Sequence, residues 1–268
     1  MKLAISNIAW AKEYDEQMYA YLQKTGFSGV EIAPTRIFAM PPYEKIEAAR
    51  LWAQDLKERY DLSVPSLQSI WYQRSENLFQ SEAERRTLLD YTKKAIDFAQ
   101  ATESKNLVFG CPRNRNRNID CPMSETECME VARNFFRELG EYAKLHNTVL
   151  ALEPNPPVYN TNLMNDTASA FAMAKQVESE GCKVNVDLGT ILTNEESLDI
   201  VRDHIALVNH IHISEPGMNC IEKRELHAEL AHMLKQAGYT NYISIEMKNL
   251  EDIVAVQEVC AYVAEVFG

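Results

Sequence analysis

Short apolar runs alternate with longer amphipathic stretches along the whole chain. The apolar runs cover residues 3–7, 29–33, 62–70, 106–110, 148–153, 183–187, 207–213 and 242–246. Runs of this length, bounded by Gly, Pro or Asn, read as buried strands. The stretches between them repeat apolar positions at helical spacing. The first passes through Met18, Tyr21 and Leu22 and ends at Gly26; others cover 43–60, 81–100, 124–146, 166–180, 197–203, 222–236 and 250–267. In the 81–100 segment Leu88, Leu89, Thr92, Ile96 and Ala99 fall on one face, as a helix packed on a core requires. Ser81 with Glu84, and Ser124 with Glu127, have capping-box spacing. Strict alternation of strand and helix predicts parallel strands joined by crossover helices. Eight such units with no composition break predict an α/β fold, a (β/α)8 TIM barrel forming one domain over 1–268. The rival, an open doubly wound sheet, would expect a Gly-x-Gly-x-x-Gly after the first strand, and none is present.

In a barrel the site lies at the C-terminal ends of the strands. The fifth run ends at Glu153, and Pro154 after it stops the strand there. A carboxylate at the end of a buried strand is costly unless something pairs with it. The next three runs close on Asp187, His212 and Glu246. Period-2 register separates two faces. Val184, Val186, Ile211, Ile213, Ile243 and Ile245 suit the helix-facing side; Asn185, Asp187, His210, His212, Ser244 and Glu246 suit the barrel interior. Three carboxylates and an imidazole then converge on one mouth. Like charges in such a place need a counter-charge. One divalent metal ion supplies it, and mixed oxygen and nitrogen donors suit Mn²⁺, Mg²⁺, Co²⁺ or Zn²⁺.

Leu152-Glu-Pro154, Val186-Asp-Leu-Gly189, His210-Ile-His-Ile213 and Ser244-Ile-Glu-Met247 resemble the metal-binding strand ends of the xylose isomerase-like TIM barrel superfamily. This is the sugar phosphate isomerase/epimerase group related to D-tagatose 3-epimerase and, more distantly, endonuclease IV. The resemblance implies that Glu153, Asp187, His212 and Glu246 bind the metal. The run Ile213-Ser-Glu215 favours His212 over His210 as the ligand. The resemblance also implies that Glu153 and Glu246 are catalytic, working on opposite faces of a bound ketose. One removes a proton and the other returns one, through a metal-stabilised enediolate. Two positions depart from the pattern. Thr190 stands where many relatives carry histidine, and Met218 where the epimerases carry arginine. The early strand ends, Asn7, Glu31, Gln68 and Gly110, supply no histidine for a three-metal endonuclease site. Two other functions fit the same residues: a metal-dependent dehydratase of the inosose or dehydroshikimate type, and a carbohydrate-binding barrel without turnover. Relatives often form homo-oligomers.

Further candidates lie near the expected mouth. Arg113 and Arg115, in Pro112-Arg-Asn-Arg-Asn-Arg117, either clamp a substrate phosphate or carboxylate or stand in a solvated loop. Asn155, Tyr159 and Asn162 bind sugar hydroxyls or stabilise turns. Trp71, like Trp10, offers an aromatic face to a sugar or packs the rim. Gln68 and Glu31 end their strands pointing inward. His227, opening the seventh helix, and Lys248, two residues past Glu246, complete the set.

Composition changes this picture little but excludes several classes. The 268 residues are 46% hydrophobic and 25% charged, as in ordinary globular enzymes. A net charge of −12 disfavours nucleic acid as a partner. No apolar segment approaches the roughly 20 residues of a membrane span. Six scattered cysteines without a Cys-x-x-Cys pair, and a start too soon polar for a signal peptide, fit reduced thiols in a cytoplasmic protein. A small carbohydrate is the expected partner.

Overall fold

The computed structural model describes residues 1–118 and 121–268. The strands are β1 (Lys2–Ser6), β2 (Gly29–Glu31), β3 (Ser66–Leu67), β4 (Asn106–Phe109), β5 (Leu150–Leu152), β6 (Cys182–Asp187), β7 (Val208–Ile213) and β8 (Tyr242–Ile245). They form one sheet in the order β2-β1-β8-β7-β6-β5-β4-β3, with parallel pairing throughout. The two end strands meet. Val30 N–H donates to Ser63 O at 2.9 Å, Ile32 N–H to Ser66 O at 3.1 Å and Gln68 N–H to Ile32 O at 2.9 Å. Those bonds close the sheet into the predicted barrel and leave no free edge.

Ten helices follow the strands: α1 (Asp15–Lys24), α2 (Pro34–Ile37), α3 (Ile46–Tyr60), α4 (Glu82–Ala101), α5 (Glu125–Leu145), α6 (Thr167–Val177), α7 (Leu188–Thr193), α8 (Asp199–Arg202), α9 (Glu225–Gln236) and α10 (Ile253–Phe267). Ser124 and Glu127 form the reciprocal box that opens α5. At α4 only half of the box forms. Ser81 accepts from Glu84 N–H, but the Glu84 carboxylate turns to the backbone N–H of Asn77 at 2.7 Å. No described helix is long and apolar enough to cross a membrane.

Three elements differ from expectation. The third strand shrinks from 62–70 to two residues, because residues 62–64 touch β2 only at the seam and Ser69 turns the chain at φ +53°. Pro34 does not merely stop β2; it opens α2 at a position where its missing N–H costs nothing. Asp187 ends β6 and at once caps an unpredicted helix, α7, by accepting from Thr190 N–H at 2.7 Å. Residues 119–120 of the loop expected over 111–122 lie outside the described residues.

The apolar core lies between barrel and helices, and the inside of the barrel is polar. Ser6, Glu31, Gln68, Asn106, Asn185 and His210 are all essentially inaccessible. They are paired across the interior: Gln68 Nε2 donates to Ser6 Oγ at 2.6 Å, and Asn106 Nδ2 to Ser66 Oγ at 2.9 Å. A register shift between Val184 and Asn185 sets Asp187 opposite His212. The start of β6 is pressed against α5. A Cβ on Gly181 would sit 2.0 Å from Gly140 O and 2.8 Å from Lys144 N, both backbone atoms. Gly181→Ala is therefore expected to cost roughly 1–3 kcal/mol, read as a lower urea midpoint with an unchanged slope.

Candidate active site and metal centre

The ends of β5 to β8 deliver the four predicted ligand residues to one point. His212 Nδ1 lies 3.0 Å from Glu153 Oε1 and 3.3 Å from Glu246 Oε2. Asp187 completes the group, and ligand atoms from all four residues lie within 4.8 Å of one another. His212 Nδ1 is buried without a directed hydrogen bond. Three carboxylate oxygens and one imidazole nitrogen match the donors of a hard or borderline divalent ion. The residues present therefore fit one divalent cation.

Two of the three carboxylates are aimed by directed donors. Asn185 Nδ2 donates to Glu153 Oε1 at 2.7 Å, and Asn155 Nδ2 to Oε2 at 3.2 Å. Thr190 donates to Asp187 Oδ2 from both its backbone N–H (2.7 Å) and its hydroxyl (2.8 Å), and the Ser214 hydroxyl donates to Oδ1. Gly110 leaves room for Glu153, whose Oε2 would lie 2.5 Å from an added Cβ. Thr190 is thus committed inward, its one hydroxyl hydrogen shared between Asp187 Oδ2 and, at 2.9 Å, Pro154 O.

The site is electrostatically tense. Burial, with Glu153 and Asp187 nearby and His212 opposing, pushes the Glu246 carboxyl up to about 7. Burial and the Glu153 charge also raise Asp187. Burial works against charge on His212, but Glu31, Glu246 and Glu153 outweigh it and lift the imidazole well above its usual range.

The other predicted residues divide. Gln68 and Asn155 are buried at the mouth and, with Tyr159, line a cavity of about 180 Å³ that opens onto the carboxylates. The Tyr159 hydroxyl accepts from Gly217 N–H at 3.0 Å, bridging the loops after β5 and β7. Arg115 is not available to a substrate. It is fully buried, donating to Leu163 O, to Glu153 O at 2.9 Å and to Asn155 Oδ1 at 2.6 Å. Burial brings its guanidinium down to about 10, so it stays charged at neutral pH. Arg113 is exposed and outside the cavity lining. Lys248 is exposed and donates to Asn219 Oδ1 at 2.9 Å. Trp71 lies in the helix layer, its Nε1–H on Thr92 Oγ1 at 2.8 Å and its ring 4.8 Å from Phe109. His227 is sealed between α9 and α10, its Nδ1 2.9 Å from the Tyr262 hydroxyl. Both side chains are buried in packing away from the cavity.

The asparagines of the arginine-rich loop turn out to hold it in place. Asn114 Nδ2 donates to Arg74 O and Glu76 O of the preceding loop. On the other side Asn162 pairs with both backbone groups of Arg117, at 2.8 and 2.9 Å.

A sequence profile described as xylose isomerase-like TIM barrel matches residues 19–262. The chain belongs to this family. Solved structures of the family's fold superpose over nearly all of it. The 3-keto-D-glucoside 4-epimerase YcjR from E. coli is 19% identical, with 99% of each chain covered and a TM-score of 0.79. A D-psicose 3-epimerase is 16% identical over all of both chains, also at 0.79. An AP endonuclease of family 2 from Brucella melitensis is 15% identical over 98% of each, at 0.77. No curated protein matches by sequence.

Two outcomes are expected. Metal ligands must be deprotonated, and here Glu246 at about 7 and the raised His212 hold protons. Divalent-ion affinity should therefore rise steeply from about pH 6 to about pH 8, with proton release on binding. Titration calorimetry in buffers of different ionisation enthalpy reads both. Arg115→Met should destabilise by about 2–5 kcal/mol, since it strips three buried acceptors of their partner. Arg113→Ala should stay within about 0.5 kcal/mol, both measured by urea unfolding.

Proposed function

We propose that the protein is a divalent-metal-dependent isomerase or epimerase of an uncharged sugar, acting by proton transfer. The observation that carries this reading is the pair Glu153 and Glu246. Both stand within 3.3 Å of His212 Nδ1, and both face the cavity. A divalent cation held by these residues and Asp187 would polarise a substrate carbonyl and its neighbouring hydroxyl. The glutamates then act as base and acid. One takes the proton from the carbon beside the carbonyl, and the other delivers a proton to the enediolate. Gln68 and Asn155 present amides to substrate hydroxyls, while Val108, Pro112, Tyr159 and Met218 supply apolar surface for carbon faces.

Among the described residues, no Lys, Arg or His lines the cavity. This favours a free sugar over a sugar phosphate, which would call for a cationic partner. The superposed 3-keto-D-glucoside and D-psicose epimerases are named for sugars without phosphate. The net charge of −12 supports a small substrate rather than DNA. Six free cysteines support work in a reducing cytoplasm.

The test is proton NMR of keto-sugars incubated with the Mn²⁺- or Zn²⁺-loaded protein in D₂O, with paramagnetic ions removed before detection. Deuterium is expected at the carbon beside the carbonyl. Glu153→Gln and Glu246→Gln should each slow its uptake by about 10²–10⁴-fold. An enone product would mark a dehydratase instead. Sugars that bind without any exchange would leave a carbohydrate-binding barrel.

A further inference from the structure

Beneath the metal-type cluster lies a second group that the proposed reaction does not use. Glu31 at the end of β2 is a carboxylate with no exposure at all. A buried carboxylate survives only where partners replace its water. Its partners are two imidazoles on β7. His212 Nε2 and His210 Nε2 both lie 3.1 Å from the same oxygen, Oε2. The His212 contact has hydrogen-bond geometry, whereas His210 Nε2 and Glu31 Oε1 have no directed partner. The two rings stand nearly perpendicular, with centroids 5.5 Å apart.

This arrangement constrains His212 from below. A carboxylate oxygen only accepts, so His212 Nε2 must carry the hydrogen. With the proton fixed on Nε2, a neutral His212 has its lone pair on Nδ1. Nδ1 is the atom that faces Glu153 and Glu246 at 3.0 and 3.3 Å. The ring cannot rotate away without abandoning Glu31 inside a sealed barrel.

We infer that Glu31 is a positioning residue: it holds His212 by Nε2, so that the Nδ1 lone pair points into the four-residue cluster. His210, from the same strand, lies against the same carboxylate oxygen at 3.1 Å. The inference rests on the metal-binding reading of the cluster and adds a residue that reaches neither metal nor substrate. A hydrogen-bonded carboxylate behind a ligating imidazole fixes its tautomer and orientation, and loss of such a partner typically weakens metal binding about 10- to 100-fold.

The experiment compares Zn²⁺ affinity, by competition with a chromophoric chelator, in wild type, Glu31→Gln and Glu31→Leu. Glu31→Leu is expected to bind about 10- to 100-fold more weakly. Glu31→Gln keeps one acceptor oxygen and should recover part of that loss. A purely structural role would lower thermal stability and leave Zn²⁺ affinity unchanged in the folded variant; that result overturns the inference. Imidazole ¹⁵N NMR of Zn²⁺-loaded wild type needs no variant to fold. His212 bound through Nδ1, with its hydrogen on Nε2, supports the inference, and binding through Nε2 overturns it. Wild type that takes up no Zn²⁺, Mn²⁺ or Co²⁺ overturns the metal reading itself, and this inference with it.

Discussion

The constraint on which the mouth depends is the concentration of negative charge around one imidazole. His212 has Glu153 and Glu246 above it and Glu31 below, with Asp187 alongside. Four carboxylates at such spacing cannot stay ionised in a poorly solvated interior unless positive charge and directed donors answer them. The donors are Asn185, Asn155, Thr190 and Ser214. The positive charge comes from His212 and protons in the free protein, and from a cation in the proposed working state. A barrel suits this arrangement because its strand ends are fixed by backbone hydrogen bonds on both sides. The donor set is therefore built before any ligand arrives, and the ordering entropy is met by folding rather than by binding.

The rim continues the same logic outward. Arg115 joins the loop after β4 to Glu153 O, Asn155 and Leu163 in the loop after β5. Asn114 and Asn162 fasten that arginine-rich loop to its neighbours on either side. Tyr159 then crosses to Gly217. Loops without such ties would be the mobile part of a barrel enzyme. Here they form a connected collar around a cavity of about 180 Å³. The buried guanidinium sits behind Glu153 and Asn155 as a fixed counter-charge, so it shapes the pocket without meeting a substrate.

What was legible in the sequence follows from period and punctuation. Apolar–polar alternation near the ends of β6, β7 and β8 assigned Asp187, His212 and Glu246 to the interior, and Pro154 marked where β5 leaves Glu153. These signals are local, so they survive without knowledge of tertiary contacts. Arg115, Trp71 and His227 misled for the opposite reason. Whether an arginine meets a phosphate or a backbone carbonyl, or a tryptophan meets a sugar or Thr92, is decided by neighbours far away in sequence. Glu31 was read as inward-facing by register, but its two histidine partners are 179 and 181 residues distant. The two-residue β3 also escaped, because the seam at β2 is held by isolated bonds rather than by a full strand.

The candidate cluster and the wall of the cavity are consequently lodged in different parts of the molecule. The cluster and its supports are carried by β2, β5, β6 and β7 and by the residue after β8, all fixed by the barrel ladder. The surfaces that would touch a substrate's carbon skeleton, Pro112, Tyr159 and Met218, come from loops. Thr190 and Met218 mark the boundary between the two. Thr190 turns inward, its backbone N–H on Asp187 Oδ2 and its single hydroxyl hydrogen shared between Asp187 Oδ2 and Pro154 O. Met218 places an apolar side chain in the cavity wall.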